Sequence, residues 1–404
     1  MKSLEIKKDI FWVGAVDYQS RDFHGYSLSP RGTTYNAYVV KDEKNVLFDT
    51  VKHDFADVLH GCLAHLMNPE DIDYIVVNHV ELDHAGALPE MIELCKPETV
   101  FCSPMGQKAI EAHFRDWGKW PLKVVKTGDV INIGKRNIHF LETRMLHWPD
   151  SMCSYIAEDK LLISNDAFGQ NIACSERFAD EISRESLAHS MLEYYFNIVV
   201  PYSPQVLKTL DQIASLKLDI DMIAPDHGLI FRGEQEVQFA LDSYKTFALQ
   251  EPRKRAVIVY DTMWHSTEKM AYAIGEGLDS VGVPYRIMDL KSNHHSAVMT
   301  EVGKSGLVIV GSPTHNNRIL PFVAGFLTYM QGLRPQNLIG GAFGSFGWSG
   351  ECVKIIGDWL KDMGFDMPVD PVKTKYVPTH EALAQCADMG RALGAALKAK
   401  CAAE

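Results

Sequence analysis

From Arg255 onward the chain alternates strictly between apolar strands and amphipathic helices, and few folds accept that pattern. RAVIVYD (255–261), PYRIMDL (284–290), GLVIVGS (306–312) and IGGAFGS (339–345) are short, mostly uncharged runs between turn residues and read as strands. TEKMAYAIGEGL (267–278) lies between the first two, with Met270, Ile274 and Leu278 on one helix face. A further helix is expected around Glu351–Met363. A last one spans about 380–400, with Leu383, Cys386, Met389, Leu393 and Leu397 facing one way. Apolar strands joined by helices pair in parallel, because each helix carries the chain back across the sheet. The pattern predicts a doubly wound parallel sheet.

Residues 1–250 read differently. VLFDT (46–50), DYIVVN (73–78), TVFCS (99–103), NIHFLET (137–143) and KLLISND (160–166) are strands separated by polar loops and several helices. The opening run MKSLEIKKDIFWVGAVDY reads as a first strand rather than a signal peptide, since it has no small-residue cleavage site. Tyr244–Arg255 is polar and carries Pro252 and the basic run Arg253, Lys254, Arg255, so the domain boundary is placed near residue 250. The expected domains are 1–250 and 251–404. A chain of 404 residues that is 46% hydrophobic can build both cores.

The net charge of −12 argues against nucleic acid or an anionic membrane as a partner. No apolar run is long enough to span a bilayer. None of the eight cysteines forms a C-x-x-C pair, which excludes rubredoxin-like, ferredoxin-like and thioredoxin-like sites within this chain. They read as free thiols in a reducing, cytoplasmic setting.

The run Asn78-His79-Val80-Glu81-Leu82-Asp83-His84-Ala85-Gly86 places four metal-ligating side chains within six residues at the exit of an apolar strand. Further candidates recur at strand ends: His147 in ETRMLHWPD, Asp166 in KLLISND and His227 in MIAPDHG. Zinc hydrolases favour imidazole-rich shells. Here Glu81 stands between two histidines, and each carboxylate favours a higher-valent metal. A mixed shell with one shared carboxylate suits a redox-active iron pair and leaves an open position on each ion. Asp49, in VLFDT, is expected to order these loops through hydrogen bonds.

In the second half, three loops follow strand C-termini, where open α/β sheets bind ligands. Thr262-Met263-Trp264-His265-Ser266-Thr267 precedes a helix, and its hydroxyls and free N–H groups suit a phosphate. Gly311-Ser312-Pro313-Thr314-His315-Asn316-Asn317 and Gly344-Ser345-Phe346-Gly347-Trp348-Ser349-Gly350 offer small residues and aromatic surface for a flat ring. No G-x-x-x-x-G-K-[ST] and no G-x-G-x-x-G accompanies them, so a nucleoside triphosphate or a dinucleotide is not indicated.

The ligand run H-x-E-x-D-H and its three partners are spaced by 62, 18 and 60 residues. With RDFHGYSLSP, MLHWPDSM, YDTMWHSTEKMA and GGAFGSFGWSGE, they resemble the flavodiiron proteins (A-type flavoproteins) over essentially the whole chain. The resemblance implies an N-terminal metallo-β-lactamase-like αββα sandwich and a C-terminal flavodoxin-like doubly wound parallel sheet. It implies one iron on His79, Glu81 and His147, a second on Asp83 and His227 with His84 available, and Asp166 bridging. His24 and Tyr194 are the implied catalytic residues, with Tyr26 nearby. The three loops resemble the phosphate and ring loops of flavodoxins, so FMN is the implied cofactor beside two irons.

The implied reaction is four-electron reduction of O₂ to water, with NO reduction to N₂O as the other family activity. The implied donor is rubredoxin, received by a basic patch to which Lys291, Lys373 and Lys375 are candidates. The resemblance also implies a head-to-tail homodimer or dimer of dimers, with Trp148 near the partner's flavin. Two other readings compete: a zinc hydrolase fused to a flavodoxin, and a flavin electron carrier whose first domain is structural or a metal-regulated binding module.

Overall fold

The computed structural model describes residues 2–403. The chain forms two compact units. The first comprises residues up to Phe23, Ser29–Tyr195 and Tyr202–Ala248. The second comprises His24–Leu28, Phe196–Pro201 and the residues from Leu249 onward.

The first unit is built on two sheets. The seven-stranded sheet runs Leu4–Lys7, Ile10–Trp12, Tyr38–Val40, Asn45–Phe48, Ile72–Val77, Thr99–Cys102 and Leu122–Val124. Its last four strands pair in parallel. The six-stranded sheet runs Val130–Asn132, Asn137–Glu142, Met152–Ile156, Leu161–Asn165, Met222–Pro225 and Phe231–Arg232.

The period-two alternation of a strand explains how one sequence serves two cores. Val46, Phe48 and Val76 point one way, into a cluster with Phe140, Met152 and Ile163 of the second sheet. Leu47, Ile75 and Val77 point the other way, onto Leu59, Leu63, Leu88 and Met91 of helices Ala56–Leu66 and Leu88–Cys95. Leu162 and Ile223, on the far face of the second sheet, are also fully buried. This is the layered α/β arrangement of a β-lactamase-like domain.

Two local expectations need correction. The N-terminal run is three short strands, Leu4–Lys7, Ile10–Trp12 and Ala15–Asp17, not one. Asp9, at φ 62°, turns the chain between the first two. Tyr244 belongs to no linker: it is fully buried within helix Glu234–Leu249, against Phe168, Tyr195 and Phe247.

The second unit holds a five-stranded parallel sheet in the order Tyr285–Asp289, Ala256–Tyr260, Leu307–Gly311, Ile339–Phe346, Val372–Lys375. The edge strand Val372–Lys375 was not expected from its polar sequence. In sequence order this is 2-1-3-4-5, the flavodoxin arrangement, and the winding reverses beside Ala256–Tyr260. Helices Ser266–Ser280 and His380–Ala403 cover one face. Among the described residues no helix is long and apolar enough to cross a membrane.

Candidate functional site

The chain leaves the strand Ile72–Val77 just before the first metal candidates, so the strand fixes where they start but not their alternation. Asp49 closes this exit: Asn78 donates from its backbone N to Asp49 Oδ1 and from Nδ2 to Asp49 Oδ2, both at 2.7 Å. His84 follows in the short helix Leu82–Ala85. His147 and Asp166 come from loops flanking the second sheet, and His227 follows the strand Met222–Pro225. Gly228 turns the chain immediately after it at φ +81°, where a Cβ would lie 2.4 Å from Gln170 Oε1. Only glycine fits that turn.

All seven sequence-predicted ligands converge. They form two donor groups, one of His79, Glu81, His147 and Asp166, the other of Asp83, His84 and His227. Asp166 faces both. Its Oδ2 lies 3.3 Å from His79 Nε2 and 3.1 Å from His147 Nε2. Its Oδ1 lies 3.1 Å from His84 Nε2 and 3.4 Å from His227 Nε2. Glu81 Oε2 completes the first group, 3.3 Å from His79 Nε2. Asp83 Oδ2 completes the second, 3.1 Å from His227 Nε2.

Outer contacts choose the ring tautomers. His79 Nδ1 donates to Asp150 Oδ2 at 3.0 Å, and His227 Nδ1 donates to the Thr34 carbonyl at 2.7 Å. Each leaves Nε2 as the lone-pair nitrogen aimed into the cluster. Asp150 also accepts from Val80 N, which fixes the loop between His79 and Glu81.

The electrostatics are those of a site built for cations. Burial disfavours charge on His79, but Asp150 and Glu81 outweigh it and hold the imidazole well above its usual range. Burial likewise opposes ionised Asp166, but the His84 and His147 imidazoles keep its carboxyl well below the usual range. Both Asp83 oxygens, Asp166 Oδ2, both His84 nitrogens and His227 Nε2 are buried without a hydrogen-bond partner among the described residues. Buried polar atoms left unpaired in such number are costly, and metal ions at the two donor groups would satisfy them together. The donor set therefore fits two ions, and its four histidines and three carboxylates suit iron.

Tyr194 donates its hydroxyl to Asp166 Oδ1 at 2.9 Å. Burial, and then the Asp166 charge, push its phenol well up, so it keeps this proton. His24 is placed differently. It is exposed, belongs to the second unit and stacks on Tyr26 with ring centroids 5.5 Å apart.

In the second unit, a groove of about 510 Å³ opens at the C-terminal ends of the parallel strands. Thr262, Met263, Trp264 and Ser266 line it from the first loop, Pro313 to Asn316 from the second, and Ser345 to Trp348 from the third. Trp264 and Trp348 are 86% and 85% exposed. Six predicted cofactor residues do not line it. Thr267 and Ser312 are fully buried behind it: Thr267 Oγ1 bonds Ser345 Oγ at 3.1 Å, and Ser312 Oγ accepts from Leu320 N at 3.0 Å. His265 Nδ1 turns to Glu268 at 2.7 Å, and Asn317 accepts from Ser349 Oγ at 3.3 Å. Gly350 also lies off the groove wall.

Tyr376 and Val377, which the sequence did not single out, complete the wall. A helix N-terminus with hydroxyls at one side and aromatic faces at the other fits a phosphate-bearing flat ring. Of the three lysines expected at the rim, Lys291 is engaged with Asp261 at 3.2 Å and with the Thr262 carbonyl. Lys373 and Lys375 lie over the Phe346 and Tyr376 rings at 5.5 and 5.7 Å.

Residues 33–228 match the ODP family beta lactamase, and residues 258–390 match Flavodoxin. The rubredoxin-oxygen oxidoreductase of Megalodesulfovibrio gigas is 55% identical over 403 residues, covering 100% of both chains. A solved flavodiiron protein from Giardia intestinalis superposes with a TM-score of 0.95 at 33% identity, covering 100% of this chain and 98% of that one. The chain belongs to the flavodiiron protein family. A further relative of this flavodiiron chain, the nitric oxide reductase of Moorella thermoacetica, is 42% identical over 392 residues, covering 96% of this chain and 98% of its own.

Proposed function

We propose that this flavodiiron protein reduces O₂ to water, and NO to N₂O, at a diiron centre supplied with electrons through FMN. The observation that carries the reading is the Asp166 carboxylate, with one oxygen toward each donor group. When bound, the iron pair and FMN together supply the four electrons that O₂ + 4 e⁻ + 4 H⁺ → 2 H₂O requires, or the two electrons for 2 NO + 2 e⁻ + 2 H⁺ → N₂O + H₂O. His79, Glu81 and His147 would hold one iron, and Asp83, His84 and His227 the other, with Asp166 shared.

The chain's own residues do the rest. Asp150 and the Thr34 carbonyl hold two imidazoles in the tautomer that offers Nε2. Tyr194 steadies the shared carboxylate through its hydroxyl. The hydroxyls at the start of Ser266–Ser280 would take the flavin phosphate, and the exposed tryptophans its ring. The mixed shell, and relatives that are gas reductases, disfavour the zinc hydrolase reading.

No C-x-x-C pair occurs in these 404 residues, so the electrons that reach the flavin come from a donor site outside them. Rubredoxin is supported by the name of the Megalodesulfovibrio relative. The eight free cysteines suit a reducing, cytoplasmic compartment. We further propose a head-to-tail homodimer in which each flavin serves the partner's irons, since a two-fold interface makes both contacts at once. Half-buried Trp148 packs edge-on against His79, 5.2 Å between centroids, and in this proposal it is the residue that would meet the partner's flavin. A mixture of two inactive variants tests it, one lacking FMN and one carrying His79→Ala with Asp166→Ala. Recovered turnover in verified mixed dimers supports transfer between subunits, and none favours transfer within a chain. The proposed activity itself is tested by metal analysis of anaerobically purified protein with O₂ and NO uptake: about two irons and one FMN per chain are expected, and zinc without gas uptake would overturn it.

A further inference from the structure

The three fully buried imidazoles of the cluster differ in what stands behind them. His79 Nδ1 has Asp150 and His227 Nδ1 has the Thr34 carbonyl. His84 has no such partner: both ring nitrogens are buried and form no hydrogen bond among the described residues. Behind its Nδ1, at 3.6 Å, stands Asp226 Oδ2. Asp226 is itself 0% exposed, and among the described residues neither of its carboxylate oxygens accepts a hydrogen bond. Two other buried carboxylates have found donors, Asp49 on Asn78 and Asp150 on His79 and Val80. Asp226 and His84 are thus two orphaned groups facing each other, one rich in acceptors and the other needing one.

Their backbones are pinned on both sides. The His84 carbonyl accepts from Thr50 N at 2.9 Å, and the His84 N donates to the Glu81 carbonyl at 3.0 Å. The Asp226 N donates to the Asn165 carbonyl, and its own carbonyl accepts from Asn36 N, both at 2.8 Å. What the backbone leaves free is the rotation of the His84 ring. A small turn brings Nδ1–H onto Asp226 Oδ2 and fixes the tautomer in which Nε2 carries the lone pair. That Nε2 already lies 3.1 Å from Asp166 Oδ1 and 3.4 Å from Asp83 Oδ2, within the second donor group.

We propose that Asp226 is the positioning residue that makes His84 a ligand of the second metal: it accepts the Nδ1–H and holds Nε2 on the ion. Without that acceptor the ring has no reason to keep Nε2 forward, and the second site is left with Asp83, His227 and the shared Asp166. Asp226 touches neither substrate nor metal and acts only through His84. The inference rests on the diiron reading above.

The test uses the holoprotein with both irons and FMN loaded. The rate at which a chelator removes each iron is followed, together with the Mössbauer spectrum of ⁵⁷Fe-enriched samples. Asp226→Leu keeps the branched shape, with somewhat bulkier methyls, and removes the acceptor; Asp226→Asn keeps a weaker acceptor. The expected result is that Asp226→Leu speeds loss of one iron by about 10–100-fold, alters that iron's spectrum and spares the other. Asp226→Asn should fall between it and the wild type. In a His84→Ala background the Asp226 changes should add nothing. An equal acceleration in that background would mark Asp226 as merely structural and overturn the proposal, as would wild-type release from Asp226→Leu. If the leucine variant does not fold, Asp226→Asn decides alone: severalfold faster loss that His84→Ala abolishes supports the proposal, and wild-type release rejects it. Failure of the underlying diiron reading is distinguishable, because the wild-type protein would then not hold two irons at all.

Discussion

The metal centre and the flavin groove solve the problem of holding a cofactor in opposite ways. The metal donors come from strand ends scattered between residues 79 and 227, and six of their polar atoms are buried with no hydrogen-bond partner among the described residues. The flavin groove is lined by loops on adjacent strands, its polar residues are mostly hydroxyls, and its largest aromatic side chains stand in solvent. The first site is complete only when ions fill it, so each donor is tied to the others. The second is a shaped surface in which contributions are local and closer to additive. Losing one residue should therefore cost far more in the first unit than in the second.

Asp166→Ala gives the largest expected effect. It removes the carboxylate shared by both donor groups, and gas reduction should fall to the background of free reduced flavin. FMN content should stay at one per chain, read by flavin absorbance after gel filtration. Retained gas reduction would break the contrast, since the centre would then tolerate loss of its shared ligand.

Asp150→Ala should come next. It strips the acceptor from His79 Nδ1 and from Val80 N, and iron affinity should fall by about 10–100-fold, read by competition with a chelator. Flavin binding should not move.

The sequence disclosed the two regions unequally, for physical reasons. Four of seven metal candidates sit in one run, and the others stand at strand ends, so chemistry-bearing residue types in loop positions picked out the seven residues that the fold brings together. Their supports were hidden. Thr34 lies 193 residues before the imidazole it orients, and nothing local in a TTYNAY run marks a carbonyl as an acceptor. Asp226 looked like a flanking residue of His227, and only burial shows it facing His84.

In the second half, the glycine and hydroxyl loops gave most of the groove. Tyr376 and Val377 stayed invisible because a polar edge strand brings them there. Local periodicity also misled at the ends. The apolar N-terminal run hid two turns, and the polar surroundings of Tyr244 hid a buried helix. The segments His24–Leu28 and Phe196–Pro201 cluster with the second unit, although the chain around them builds the first. Such a crossing leaves no mark in composition.

Replacing Thr262, Ser266 and Thr267 together by Ala should weaken FMN by at least tens-fold and leave iron content unchanged. Hydrogen bonds to a charged group are worth about 1.5–3 kcal/mol each. Thr267 contributes through the buried tie to Ser345, so its share should show as a looser third loop. Isothermal titration of flavin-free protein with FMN reads the effect. Loss of iron from this variant would show that the two regions are coupled rather than independent.

Trp348→Ala should have the smallest effect. The side chain is 85% exposed, so stability should change by no more than about 0.5 kcal/mol in thermal melts of the flavin-free protein. FMN affinity should drop only by the lost stacking, about 0.5–1.5 kcal/mol, or roughly tenfold at most. A larger loss would mean that the groove is less additive than its open construction suggests.

Four-electron reduction at the metal centre is tested most directly by counting electrons. Fully reduced protein, with FMN and both irons reduced, is mixed with limiting O₂ in a stopped-flow instrument, and hydrogen peroxide is assayed in the product. Four electrons should be consumed per O₂ with no peroxide above background, and Asp166→Ala should lose this behaviour with its flavin still bound. Peroxide released in step with flavin oxidation, at a rate that Asp166→Ala leaves unchanged, would show the flavin reducing oxygen alone and would contradict it.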